Sequence, residues 1–187
     1  MITLAIIAGG KGSRMNYTNK AFLTKNNVSF VENTLKESSD FDEVIIITND
    51  FSPYENLSKT YDFKLFKDIY KDKGAIGGIY TALVNAKNQK VFCVACDMPN
   101  LSYDLFDKMI NHDFYEDILV PSIDERVQPL CAIYNKKLIS YFNERIIKDE
   151  NKMQKIIFDN SHKIIKLDNL EDNFVNVNTI EEYQKIK

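Results

Sequence analysis

The sequence predicts an α/β protein: a mostly parallel, twisted sheet with helices on both faces, in a three-layer α/β/α arrangement. Three observations carry this. Short apolar runs rich in β-branched residues alternate with helical patterns along the 187 residues. The runs recur at roughly 20–30 residues, the length of a right-handed βαβ unit. Several of them are apolar throughout, as strands covered on both faces are.

Taken in order, Thr3–Ala8 (TLAIIA) is a continuous β-branched strand. Ser29–Glu37 (SFVENTLKE) sets Phe30, Val31, Thr34 and Leu35 on one helical face. Glu43–Thr48 (EVIIIT) is a second strand. Ser52 and Pro53 read as the cap and first residue of a helix over SPYENLSKTY. Asp62–Asp68 (DFKLFKD) is a third, alternating strand, and Gly74–Asn88 a helix with glycines crowding its first turn. Lys90–Asp97 (KVFCVACD) is a fourth strand, SYDLFDKMINH a capped helix and DILVPSI a fifth strand. RVQPLCAIYN is expected to return antiparallel. KKLISYFNERIIKD and KMQKIIFD are amphipathic helices, HKIIKL and NFVNV short strands, and TIEEYQKIK a terminal helix. No repeat or linker interrupts the pattern, so 1–187 is expected to be a single domain.

Composition narrows the function classes. A net charge of −3 gives no broad attraction to nucleic acid or to an anionic membrane, so any basic site is local. No stretch approaches the ~20 apolar residues of a membrane span, and the first residues carry no basic region or cleavage site of a signal peptide. A cytoplasmic protein, monomeric or weakly oligomeric, is expected. Cys93 and Cys96 form a C-x-x-C inside an apolar strand, and Cys131 stands apart. A zinc site needs about four ligands and a redox pair a helix start, so these thiols read as small buried hydrophobes.

In a parallel sheet, ligands sit beyond the carboxyl ends of the strands. There the sequence gathers Ala8-Gly9-Gly10, Thr48-Asn49-Asp50, Asp68 and Cys96-Asp97-Met98-Pro99. Glycines after the first strand let backbone N–H groups approach a phosphate. The loop Gly9-Gly10-Lys11-Gly12-Ser13-Arg14-Met15 lacks the third glycine of a dinucleotide fingerprint and the spacing of a P-loop. Arg14 and Lys20 add the cations such a loop needs, with Lys11 a less certain third: a guanidinium pairs bidentately with phosphate, and an ammonium acts as a point charge. Asp97 ends an apolar strand and reads either as a Mg²⁺ ligand beside phosphate oxygens or as a cap or salt bridge. Asp68 has the same two readings, and Asn49 either meets a base or ribose or closes a turn.

AIIAGGKGSRM followed by Lys20, then CDMPN and FVNVNT, together resemble the molybdenum cofactor guanylyltransferase family, over residues 2 to about 183. This family sits among the nucleotidyltransferases of the Rossmann-like, glycosyltransferase-A-like fold. The resemblance implies backbone contacts to the nucleotide from Ile7, Ala8, Gly9 and Gly10. It implies phosphate binding by Lys20, pyrophosphate binding by Arg14, nucleotide contacts from Asn49, Asp68 and Gly77, and Mg²⁺ on Asp97. Arg14, Lys20 and Asp97 would form the catalytic group. The nucleotide-binding half would cover about 1–100 and the acceptor-binding half about 101–187, with Arg126, Gln128, Asn176 and Asn178 facing the acceptor. Ala8-Gly9-Gly10 favours guanine. Gly74-Ala75-Ile76-Gly77-Gly78 departs from the family's G-P-L-A-G and loosens that assignment.

The implied reaction is attack by the terminal phosphate of molybdopterin, metal-loaded or not, on the α-phosphorus of GTP. The nucleophile is already anionic, so positioning and charge neutralisation should dominate. A cytidylyl- or sugar-phosphate nucleotidyltransferase is the alternative within the fold. A catalytically silent nucleotide-binding module is the alternative outside enzymes.

Overall fold

The computed structural model describes residues 1–9 and 19–186. Expectations for Gly10, Lys11 and Arg14 therefore lie outside the described residues. The main sheet contains eight strands among those residues: β1 (Ile2–Ile7), β4 (Glu43–Ile47), β5 (Lys64–Phe66), β6 (Lys90–Ala95), β7 (Ile118–Ile123), β8 (Arg126–Val127), β9 (Cys131–Asn135) and β10 (His162–Lys166). β2 (Thr24–Lys25) and β3 (Val28–Ser29) form a separate hairpin. The spatial order is β10-β7-β9-β6-β1-β4-β5, with β8 beside β7. β1 pairs parallel with β4 and β6, β4 with β5, and β7 with β10; β9 is inserted antiparallel between β6 and β7, and β8 pairs antiparallel with β7.

Strand alternation divides the core into two layers. Leu4, Ile6, Val44, Ile46, Phe92 and Val94 face one side. Helices α1 (Phe30–Lys36) and α3 (Tyr103–Ile110) cover it through Val31, Leu35, Leu105, Phe106 and Met109. Ala5, Ile45, Ile47, Val91 and Cys93 face the other. There α2 (Ala75–Asn85), α4 (Ile139–Ile147) and α5 (Met153–Phe158) pack through Ile76, Ile79, Leu83, Phe142, Ile146 and Ile157. No helix among the described residues is long and apolar enough to cross a membrane.

Local chemistry starts the helices. Ser29 Oγ accepts from Glu32 N at 3.3 Å, and Ser102 Oγ from Leu105 N at 3.4 Å, the expected N-caps. Helix α6 (Ile180–Ile186) opens on a reciprocal capping box: Glu182 N donates to Thr179 Oγ1 at 3.1 Å, and Thr179 N to Glu182 Oε2 at 3.1 Å.

Two expectations are corrected, and one element is new. The helix over SPYENLSKTY is instead two short 3₁₀ turns, Ser52–Tyr54 and Leu57–Lys59. Side chains there compete with the backbone: Asp50 Oδ1 accepts from Ser52 N and Oγ, and Ser58 Oγ donates to Glu55 O. NFVNV forms no strand; it leaves a 3₁₀ turn at Phe174 and runs across the strand ends, where Val177 N donates to Asp97 O at 2.9 Å. The β2–β3 hairpin was not foreseen, although its turn residues, Asn26 and Asn27 at φ 51° and 62°, suit a left-handed two-residue turn.

Candidate active site

Parallel register aligns the carboxyl ends of β1, β4 and β6, pairing Ile7 with both Ile47 and Ala95. A cavity of about 800 Å³ opens beyond them. Ile7, Ala8 and Gly9 form its floor, Asp68, Gly74 and Ala75 one wall, and Lys20, Asp97 and Asn178 another.

At the floor, Ala8 N still donates to Ile47 O at 2.8 Å, and Cys96 N donates to Ile7 O at 3.1 Å. The sheet thus uses those two groups, and Gly9 beyond them lines the cavity. Gly9 is there for space as well: a Cβ would lie 2.1 Å from Asp68 Oδ2. A Cβ on Gly78 would meet Ile7 Cγ2 at 2.4 Å. The glycine of α2 that lets the helix start sit against β1 is therefore Gly78, which also lines the cavity. Gly77, expected to contact the nucleotide, is buried, a Cβ there would lie 2.9 Å from Tyr70 O, and it is not among the lining residues. Gly74 caps α2 at φ 63°, a left-handed backbone, and Gly74, Ala75 and Gly78 line the cavity.

Lys20 stands in a 3₁₀ turn, Lys20–Phe22, capped by Asn19, whose Oδ1 accepts from Ala21 N at 3.2 Å. Its ammonium donates to Asp97 Oδ2 at 3.0 Å and to Asn178 Oδ1 at 2.8 Å. The Lys20 and Asp97 side chains are 18% and 19% exposed, a largely shielded ion pair. On the facing wall, Asn49 Nδ2 donates to Asp68 Oδ2 at 3.0 Å. Asp68 Oδ1 is buried without a hydrogen-bond partner among the described residues. Burial raises the Asp68 pKa and the nearby Asp72 adds to it, against a lowering by the Asn49 hydrogen bond.

The other sequence expectations separate. Asn178 joins Lys20 in the cavity, and Asn49 reaches it through Asp68. Asn176 is exposed. Arg126 and Gln128 line a different hollow of about 380 Å³ with Glu171, Phe174 and Val175. Cys93, on β6, packs in one core layer, while Cys96, in the turn just after β6, packs against the other; both are free thiols. Burial, with Asp97 beside it, pushes the Cys96 thiol up to about 12, so it forms an inert wall of the cavity. Sequence reasoning missed Asn19, Gly78 and Leu130 as lining residues; the adjacent glycines of α2 were the one signal available.

The chain is 40% identical over 190 residues to the Clostridium perfringens (strain 13) protein named "Probable molybdenum cofactor guanylyltransferase", covering 97% of this chain and 94% of that one. It is 30% identical to the Flavobacterium johnsoniae protein of the same name, with 97% and 94% covered. The crystal structure of molybdopterin-guanine dinucleotide biosynthesis protein A from Archaeoglobus fulgidus superposes with a TM-score of 0.78 at 21% identity, covering 98% and 96% of the two chains. The MobA-like NTP transferase domain matches residues 4–164, nearly the whole sheet, and with it the chain belongs to the MobA-like NTP transferase family.

Proposed function

We propose that this protein transfers GMP from GTP to the terminal phosphate of molybdopterin, with or without its metal, forming the guanine dinucleotide cofactor and releasing pyrophosphate. The observation that carries the reading is the convergence of Lys20, Asp97 and Asn178 at the open ends of β1 and β6, in a chain 40% identical to a protein named for that reaction.

An oxygen of the acceptor phosphate forms a bond to the α-phosphorus of GTP while the bond to the β-phosphate bridging oxygen breaks. Pyrophosphate takes that electron pair and leaves. The nucleophile needs no deprotonation, so the protein's task is to hold two polyanions together. Lys20 supplies positive charge to the phosphates, and the backbone from Gly9 approaches them closely. Arg14, outside the described residues, is assigned the leaving pyrophosphate by resemblance. Asn49, Asp68 and the start of α2 lie on the side assigned to the nucleoside.

The donor set suits Mg²⁺. No cluster of three metal-ligating side chains exists among the described residues. Asp97 offers one carboxylate at the cavity wall, and Mg²⁺ is held by one or two carboxylates together with substrate phosphates. Mg²⁺ on Asp97 would supply charge neutralisation at the transferring phosphoryl group.

With about 1–100 assigned to the nucleotide and about 101–187 to the acceptor, the two halves would meet where Asn178 touches Lys20. We assign the acceptor to the side of Arg126, Gln128 and Asn176. Pyrophosphate release with molybdopterin and GTP, CTP or UTP tests the reading. Turnover with GTP well above the others is expected. Preference for CTP, or turnover with a hexose phosphate in place of molybdopterin, overturns it.

A further inference from the structure

The end of the chain holds Lys20 at both of its ends. Its ammonium donates to Asn178 Oδ1 at 2.8 Å. The backbone that carries it continues into Thr24, which is clamped by Tyr183. The Tyr183 hydroxyl donates to Thr24 O at 3.0 Å, accepts from Thr24 N at 3.2 Å, and lies 3.3 Å from Thr24 Oγ1. A phenol has one proton and two lone pairs; with the proton given to Thr24 O, Thr24 N and Oγ1 donate to the lone pairs.

Between the two contacts, the chain is stiffened by Glu182, whose Oε2 accepts from Asn178 N at 2.6 Å and from Thr179 N at 3.1 Å. A small cluster, separate from the two main core layers, completes the join: Leu23, Phe30 and Val177, with Tyr183 and Ile186 packed against them. The Tyr183 ring meets Phe30 edge-on, centroids 6.3 Å apart. This cluster contains only the segment just after Lys20, the first residue of α1 and the end of the chain. Its packing therefore fixes those segments to one another.

We propose that Tyr183 is a positioning residue for Lys20. Its hydroxyl sets the backbone that carries the lysine, Asn178 sets the ammonium, and residues 177–183 act as one strut aiming the cation at the nucleotide phosphates. The inference rests on the reading of Lys20 as a phosphate-binding cation.

A clamp that only stabilised the fold would act the same whatever stood at position 20. A strut acts through Lys20, and a double-mutant cycle separates the two. Titration calorimetry with Mg·GTP would be run on the full chain, on Tyr183→Phe, on Lys20→Met and on the double variant, with thermal melts alongside. Tyr183→Phe keeps the ring against Phe30 and should weaken GTP about fivefold. In the Lys20→Met background the same change should have no further effect. Equal weakening in both backgrounds, or none in the first, overturns the positioning role and leaves Lys20 as assigned. Unchanged affinity in Lys20→Met removes the assignment of Lys20 itself, and the strut with it. As a second probe, Asn178→Ser should also show no further effect once Lys20 is Met; a full additional loss contradicts the proposal.

Discussion

Lys20 Nζ lies 3.0 Å from Asp97 Oδ2 in a pair about four-fifths shielded from solvent. The cation proposed to bind phosphate and the carboxylate proposed to hold the metal thus neutralise each other before substrate arrives. Removing either should cost about 10²–10³ in pyrophosphate release, as for other groups that stabilise developing charge. Each single variant, Lys20→Met or Asp97→Asn, also leaves an uncompensated, largely buried charge, so its melting temperature should fall. The double variant should melt higher than either single one while remaining inactive. Additive loss of stability in the double variant would show that the pair is not coupled.

Gly9 has no room for a methyl group, since a Cβ would lie 2.1 Å from Asp68 Oδ2. Gly9→Ala should push Asp68 from its place beside Asn49 and weaken nucleotide binding at least tenfold, measured by calorimetry. Pairing Gly9→Ala with Asp68→Ala should restore the lost stability, because the clash is then gone.

Asp68 titrates above its ordinary value, chiefly because it is half-buried. The folded chain holds this proton more tightly than the unfolded one. Stability therefore falls as pH rises from the ordinary carboxylate value through the raised one. Asp68→Asn removes that penalty and keeps an acceptor for Asn49. It should raise the melting temperature at neutral pH by about 2 °C and weaken nucleotide binding. Melts that shift by the same amount at pH 4 and pH 8 would contradict the assignment.

Glu43 behaves in the opposite sense. Burial raises its pKa, but hydrogen bonds from Lys87 N, Lys64 and Thr3 outweigh this and hold it below the usual range. Its contribution is present above the ordinary carboxylate pKa and is lost as pH falls through the lowered value. Glu43 Oε2 ties Thr3 of β1 to Lys87, at the end of the sheet away from the cavity. Glu43→Gln should lower the melting temperature at pH 7 and flatten the acid limb of the stability curve, with GTP affinity unchanged.

Much of the sheet was legible because β1, β4 and β6 are continuous apolar runs, and the edge where ligands bind follows from parallel topology. The helix expected after Ser52 failed because Asp50, Ser52 and Ser58 hydrogen-bond locally, a competition that cap signatures do not register. The strand expected at Asn173–Val177 failed because a short apolar–polar alternation cannot say whether a neighbouring strand is free to pair. In the site, Lys20, Asp97 and Asp68 were recognisable by type and place. That Asn178 would meet Lys20 across 158 residues was not, because side-chain convergence depends on where the chain end crosses the sheet. Tyr183 carried no signal at all: an aromatic on a terminal helix reads as core until its hydroxyl is seen against Thr24.

β9 runs against its neighbours β6 and β7, so its first residue, Cys131, stands at the same rim as the last residues of β1 and β6. The short connection before it brings Leu130 to the cavity mouth. The reversal of β9 thereby gives this rim an interchangeable lip. Residues can be added to or deleted from the 128–130 link that follows β8, reshaping the entrance, while the paired strands on either side stay in step. Evolutionary tinkering or laboratory grafting has a natural seam at that link.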